Sequence, residues 1–246
     1  MSFNPLAPVI DYQSMLNRIF WFTTVSALVA AWMLRMNNAA LDAWLRQIDF
    51  NVEFGGSKTL PMPGGYLFPA LAVGILTRIF RLHARISDWL GIRETFDIHV
   101  IIAEFASQLG IDFDALTHEQ LVERRHTIMR QAFYPYVSGS QPQIDSKLVE
   151  QALDSWSWFW VGIEATVVFV FAGLGLVSSG TYEIGLQTFG GALIFAAVGL
   201  PAMRNQCRRY AIAQVRAILD QPARAAAVRS SFAEFSAQRL GSRRAA

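Results

Sequence analysis

A single acidic side chain interrupts a long apolar run. From Phe159 to Val177 the sequence has one charged residue in 19, and that residue is Glu164. A carboxylate inside such a run is costly unless it is paired, protonated or in contact with water, so it indicates a functional site. The alternative is that Glu164 lies close enough to the end of the run to reach headgroups or a partner side chain. The candidate cationic partners of Glu164 are Arg78 and Arg81, which end an earlier apolar run.

Metal and catalytic chemistry have weaker signals. Glu123 and His126 have the Glu-x-x-His spacing of carboxylate-bridged two-metal sites, but the sequence lacks the second such pair that these sites need. Arg78 and His83 have the spacing of the Arg/His pair in one class of helical ribonucleases, although an arginine is expected at a membrane edge anyway. No phosphate-binding loop, nucleophile elbow or Cys/His cluster is present. We therefore predict a protein that is not an enzyme, binds no cofactor, metal or nucleic acid, and has one bystander thiol, Cys207.

Four apolar runs predict membrane spans. The strongest are Phe159–Val177 and Ile184–Leu200, which are joined by a tight turn at Ser178–Glu183 and match the thickness of a bilayer. Ile19–Leu34 is slightly short, and we expect Arg18 and Arg35 to snorkel from its ends. Tyr66–Phe80 is the weakest run, with Pro69 in its first turn, and it either spans or re-enters. We expect a Trp belt on the third span, formed by Trp156, Trp158 and Trp160.

The segments outside the spans have opposite charges. Residues 82–154 carry six basic and eleven acidic side chains, whereas the tail from Met203 carries nine arginines and two acids. The positive-inside rule then places both segments, and both termini, in the cytoplasm of a bacterial cell. The tail is expected to dock on the acidic 82–154 block, and the alternative is that it binds anionic lipid.

Helix signals divide the 82–154 block into three parts. Ser87–Leu109 has a helical pattern broken at Gly91, and Thr117 with Gln120 forms a capping box for a second helix that Pro135 should end. A third helix, capped by Asp145 or Ser146, should continue without a break into the third span. Before the second span, 38–50 reads as an amphipathic helix. Five glycines should allow the last two spans to approach closely, and secondarily form an oligomer seam: Gly173, Gly175, Gly185, Gly190 and Gly191.

The stretch Ile92–Val100, with the sequence IRETFDIHV, resembles the IQExFDxxVF-like stretch of four-span (S-4TM) effectors of bacterial cyclic-oligonucleotide defence systems. The order of two spans, a helical block holding this stretch and two further spans is similar too. Residues 101–104 depart from the Leu-Pro-Trp-Asn that follows in that family. The resemblance implies a protein that oligomerises and breaches the inner membrane on a signal, and it adds Arg93, Asp97 and His99 to the candidate functional residues.

Together these patterns predict an all-α membrane protein with four transmembrane helices in two hairpins. The predicted parts are residues 1–81 (first hairpin), 82–154 (helical cytoplasmic domain), 155–202 (second hairpin) and 203–246 (basic helical tail). The predicted partners are the bilayer, further copies or membrane proteins, and a cytoplasmic partner or signal on 82–154. Three functions stay open: a membrane-perturbing or signal-responsive effector, an accessory subunit of a secretion, conjugation or exclusion machine, and a membrane metalloenzyme.

Overall fold

The computed structural model describes residues 4, 6–54, 58–111, 117–138 and 141–232, and these are helical apart from one hairpin. The helices are α1 (Tyr12–Asn37), α2 (Ala39–Leu45), α3 (Gly64–Ile79), α4 (Leu82–Trp89), α5 (Ile92–Phe96), α6 (Ala103–Leu109), α7 (His118–Ile128), α8 (Tyr134–Val137), α9 (Ser146–Ser178), α10 (Tyr182–Ile194) and α11 (Leu200–Leu219). Residues 222–232 are also helical. The helical fold predicted from the sequence is confirmed at this level.

Three of the helices are long and apolar enough to cross a membrane. They are α1, α9 and the continuous helix Tyr182–Leu219, which joins α10 to α11. A fourth crossing is possible if α3 and α4, which are bent by 56° at a short break, act as one span. The structure therefore supports three or four apolar spans, and the 56° bend lies at the end of the weakest predicted run, Tyr66–Phe80.

The chain forms two compact units, each built from separated segments. The first unit holds Tyr12–His83 and Trp156–Arg204 together with the N-terminal residues to Pro8. The second holds Val9–Asp11, Ala84–Ser155 and the chain from Asn205 onwards. Both units therefore contain residues from early and late parts of the sequence.

Several predicted helix boundaries are confirmed. The helix α9 runs for 33 residues without a break, and the side chain of Asp145 accepts a hydrogen bond from the backbone N–H of Lys147 at its start, at 2.9 Å. Thr117 and Gln120 form the reciprocal capping box at the start of α7. Gly91 separates α4 from α5 in a left-handed conformation with φ of 59°. These signals are local, which explains why the sequence alone could specify them.

Other predicted boundaries are wrong. Pro135 does not end the helical chain, because a wide π-helical turn at Met129–Phe133 precedes it and α8 then places Pro135 in its first turn, where the missing N–H costs little. Similarly, α3 begins at Gly64, so Pro69 lies in its second turn. The predicted helix at 38–50 ends at Ile48, after a short 3₁₀ turn at Arg46–Ile48. An antiparallel pair of strands follows, β1 (Phe50–Phe54) and β2 (Lys58–Met62), which was not predicted from the sequence.

The second unit has an apolar core to which the C-terminal helices contribute. Phe105 lies fully buried, with its ring 6.4 Å from the rings of both Phe133 and Phe232. Val215 and Ile218 of α11 are also fully buried. The ion pair between Arg216 and Glu104, at 3.3 Å, involves an arginine that is mostly exposed and so adds little. The tail therefore packs on the helices of this unit as predicted, but through apolar side chains more than through arginines.

Two of the five glycines bring α9 and α10 together. A Cβ on Gly173 would lie 2.7 Å from the backbone nitrogen of Phe189, and one on Gly185 would lie 2.7 Å from that of Val177. Gly175 instead faces Leu34 of α1, while a Cβ on Gly190 or Gly191 would meet nothing within 4 Å. The first two positions therefore need glycine for close backbone approach.

We expect Gly173→Ala to lower the free energy of unfolding by about 1–3 kcal/mol, because the added methyl group must push two backbones apart. Gly191→Ala is the matched control, since its methyl group enters open space and alanine favours helix. Thermal unfolding in detergent compares the two variants. A Gly173→Ala protein as stable as Gly191→Ala would contradict the described contact between α9 and α10.

Candidate functional site

The carboxylate of Glu164 is buried in the first unit, with 1% of the residue exposed. It accepts a hydrogen bond from the hydroxyl of Thr23 on α1, at 2.5 Å. It also accepts one from the backbone N–H of His83. Among the described residues no ion pair joins Glu164 to Arg78 or Arg81, so the proposed cationic partners are replaced by two neutral donors. The alternative was that Glu164 reaches headgroups or a partner side chain; the side chain is enclosed, and its partner side chain is Thr23.

The second donor exists because the chain breaks between α3 and α4. Arg81 adopts a left-handed conformation with φ of 48°, which is uncommon for a residue other than glycine. The break starts a new helix at Leu82, whose first N–H groups have no acceptor within the helix. Glu164 accepts one of them, and a negative charge at a helix N-terminus is favourable. The Glu164 carboxylate therefore caps the N-terminus of α4.

A small cavity lies beside this cap, with a volume of about 30 Å³, enough for a water molecule or two. Its polar lining comes from the predicted candidates and their neighbours, Arg78, Arg81, His83, Thr77 and Glu164. Arg78 is exposed and donates to the side-chain oxygen of Asn17 at 2.9 Å. The structure thus brings three predicted site residues to one cavity, although they do not pair directly.

His83 is held on its other side by aromatic groups. Its Nε2 lies 3.3 Å from the hydroxyl of Tyr12, and its ring is 6.1 Å from the ring of Trp160. Trp160 is 6% exposed, so it packs within the unit. The predicted Trp belt is therefore partly an internal packing surface, which holds His83 beside α9 within the first unit.

Both arginines that were expected to snorkel are buried, so that prediction is wrong. Arg18 donates to the hydroxyl of Ser157 at 3.0 Å and to the carbonyl of Ala7 at 2.8 Å, and its guanidinium lies 5.1 Å from the centre of the Trp158 ring. These contacts link α1 to α9. They give both terminal nitrogens of the Arg18 guanidinium an acceptor within the protein.

Arg35 forms the centre of a polar cluster that was not predicted from the sequence. It donates to Asp42 at 2.8 Å and to Asp49 at 3.1 Å, and it lies 4.0 Å above the ring of Tyr66. The backbone N–H of Gly65 also donates to Asp49, at 2.7 Å. The Arg35 hydrogen bonds are the main reason that the pKa values of both aspartates lie below their usual range. The cluster ties the segment after α1 to the start of α3.

The candidates from the 92–100 stretch lie in the second unit and do not form one site. Arg93 is exposed and donates to the hydroxyl of Tyr134 at 3.0 Å. His99 stacks on His118, with ring centres 6.3 Å apart. Asp97 is buried, and its carboxylate lies 3.8 Å from Nε of Arg125. It begins a π-helical turn, Asp97–Ile102, a feature that is frequent at functional sites.

Burial raises the pKa of Asp97 to about 6, and the nearby charges of Arg93 and Arg125 only partly offset this effect. The folded protein thus holds a proton on Asp97 that the unfolded chain releases near pH 4. Stability should fall as pH rises from about 4 to about 6 and then level off, by roughly 2–3 kcal/mol.

Asp97→Asn should remove this slope, and unfolding followed between pH 4 and pH 7 would measure it. Asp88→Asn, which changes an exposed acid of the same unit, is the control. An unchanged slope in Asp97→Asn would show that another group titrates.

The Glu123 and His126 pair, which has the spacing of a metal site, is not joined by further ligands among the described residues. Nε2 of His126 lies 3.0 Å from a guanidinium nitrogen of Arg125. Within the described residues, no group of three or more His, Cys, Asp and Glu side chains is placed to hold a metal ion.

Residues 11–234, which make up most of the chain, match the model of the YmfE protein family. This chain belongs to the YmfE protein family. Comparisons with the curated proteins and with the solved structures each gave no match. Membership of the YmfE family does not bear on the resemblance of the 92–100 stretch to S-4TM effectors.

In this member of the YmfE family, the site residues that could not be identified from the sequence are those whose partners lie far away along the chain. Thr23 and His83 are 141 and 81 positions from Glu164. The only sequence signal for the Arg35 cluster was the pair of aspartates 7 and 14 positions later. Spacings of 7 and 14 place residues on one face of a helix, but in a continuous helix they would lie about 10 and 21 Å apart along the axis, so only the bend after α1 brings them together.

Proposed function

We propose that this chain is a non-enzymatic, multi-pass protein of the bacterial inner membrane. In this proposal α3 with α4 completes a set of four spans, both termini are cytoplasmic, and residues 82–154 form a cytoplasmic receiver. The protein acts as an oligomeric, signal-responsive effector that perturbs the membrane.

The observation that carries the proposal is the buried Glu164 cap. A carboxylate within an apolar span is retained at a cost, and here it holds a helix break next to Arg81 in a strained conformation. Such a clamped break can exist in a bent and a straighter form. A signal that favours one form over the other would alter the membrane part of the protein.

Two features support an oligomer in the membrane. Only 11% of the apolar window in Tyr182–Leu219 is buried within the chain, compared with 39% for α9. The open positions at Gly190 and Gly191 lie in this helix.

The proposal is tested by expression in a bacterial host, with growth and entry of a membrane-impermeant dye as readouts. An effector should arrest growth and admit the dye. Reporters at Ser57 and after Leu240, both outside the described residues, would test the topology: the first should be active only as an external fusion and the second only as a cytoplasmic one. The opposite result at Ser57 would mean that the α3 segment re-enters the membrane.

An accessory subunit of an envelope machine is the second candidate. Trp89 and Leu90 favour it, because they are 84% and 55% exposed in the second unit and large exposed apolar side chains mark contact surfaces. Under this alternative, expression leaves growth and dye entry unchanged. The discriminating result is then co-purification of a defined envelope partner that Trp89→Ser abolishes.

A further inference from the structure

The helix α11 has two faces of different character. Cys207, Ala211, Val215 and Ile218 recur at helical spacing, and each is at most 3% exposed. The hydroxyl of Ser155 and the sulfur of Cys207 lie 3.3 Å apart on this face. The apolar face of α11 is therefore fully used by contacts within the second unit, and it is not available to another surface.

Arg208 and Arg209 lie on the other side of the same helix. Successive residues turn by about 100°, which places the two arginines roughly 100° and 200° from Cys207. Both are exposed, and in the part of the chain that the structure describes neither makes an ion pair or a hydrogen bond. Arg216 differs from them, because it pairs with Glu104.

The position of the pair along the helix suggests its ligand. Arg208 and Arg209 follow the last residue of the predicted fourth span, Leu200, by eight and nine positions, or about 12–14 Å of helix. Long arginine side chains can extend back towards the headgroup layer. The planar guanidinium binds two phosphate oxygens at once, which suits a phospholipid headgroup.

We propose that Arg208 and Arg209 bind the phosphates of anionic phospholipids, while the opposite face of α11 packs on protein. Docking of the tail and binding of lipid, which the sequence left as alternatives, then occur together on two faces of one helix. This inference rests on the membrane location proposed above.

The test uses the full chain purified in a neutral detergent, with thermal unfolding measured as phosphatidylglycerol is added in a background of phosphatidylcholine. Phosphatidylglycerol should stabilise the wild type. In Arg208→Gln/Arg209→Gln the half-saturating concentration should rise about 30-fold. Arg224→Gln/Arg229→Gln is the matched control, because it removes two charges from the next helical segment of the same tail, and its titration should match the wild type.

A rise of less than tenfold, or an equal rise in the control, overturns the inference. Inorganic phosphate is the second probe: if it stabilises the protein as well as the lipid does, the ligand is a free anion and the lipid assignment is wrong. Alkaline washing of membranes that contain the protein distinguishes a failure of this inference from a failure of the proposed membrane location. A chain that washes off refutes the membrane location, whereas one that stays but shows no lipid preference refutes only the role of the arginine pair.

Discussion

Glu164→Leu is expected to destabilise the protein by about 3–5 kcal/mol, although leucine matches the apolar residues that surround position 164 in the sequence. The substitution leaves the hydroxyl of Thr23 and the N–H of His83 buried without their acceptor, and each unsatisfied group costs about 1–3 kcal/mol. A carboxylate without these two donors would give the opposite sign, with leucine slightly stabilising. Thermal unfolding in detergent measures the effect.

Glu164→Gln separates structure from function at the same position. Glutamine keeps a side-chain oxygen for Thr23 or His83, so its cost should be about 1 kcal/mol. If the capped break responds to a signal, Glu164→Gln should nevertheless alter its function. Growth inhibition on expression should then be either lost or independent of the signal. Thr23→Val is the control, because it removes one donor without changing the charge. Full wild-type activity in Glu164→Gln would leave Glu164 with a structural role only.

Arg35→Ala is expected to cost about 2–4 kcal/mol. Breaking a buried ion pair is strongly destabilising, and this arginine has two carboxylate partners and an aromatic ring. The loss is below the upper end of the usual range because the aspartates are partly exposed and water can replace some of the contact. Arg35→Lys should recover only a part of the stability, since an ammonium group cannot serve both aspartates in the same plane.

Acid should remove the same stabilisation in the wild type. The pKa values of Asp42 and Asp49 are lowered in the folded state, so their contribution is complete above about pH 4 and disappears as pH falls through the lowered values. Arg35→Ala should therefore show a weaker loss of stability below pH 4 than the wild type. Arg46→Ala is the control, because its contact with Asp42 involves an arginine that is 71% exposed. Equal effects of Arg35→Ala and Arg46→Ala would mean that the buried cluster adds nothing.

The local features of this fold could be predicted from sequence. The run of α9, the capping box at Thr117 and the break at Gly91 each depend on residues within a few positions, so composition and spacing specify them. The position of Glu164 in an apolar run likewise identified it as a residue in need of a partner.

The partners themselves could not be predicted. An arginine at the end of an apolar run has the same sequence pattern whether it reaches headgroups or turns inward, so the burial of Arg18 and Arg35 had no local signature. The donor to Glu164 is a backbone group, and every residue has one. Only the break at Arg81, which no glycine or proline announces, makes the N–H of His83 available.

The second unit is closed by the last part of the chain to be synthesised. Its segment Ala84–Ser155 leaves the ribosome before the second apolar hairpin, but Val215, Ile218 and Phe232, which complete its core, follow that hairpin. During translation, Phe105 therefore stays without its contact to Phe232 until the segment Trp156–Arg204 and the following chain to Phe232 have been made. In the membrane location proposed above, insertion of the hairpin is a checkpoint for folding, because a nascent chain that stalls at this step exposes an unfinished core to chaperones and proteases.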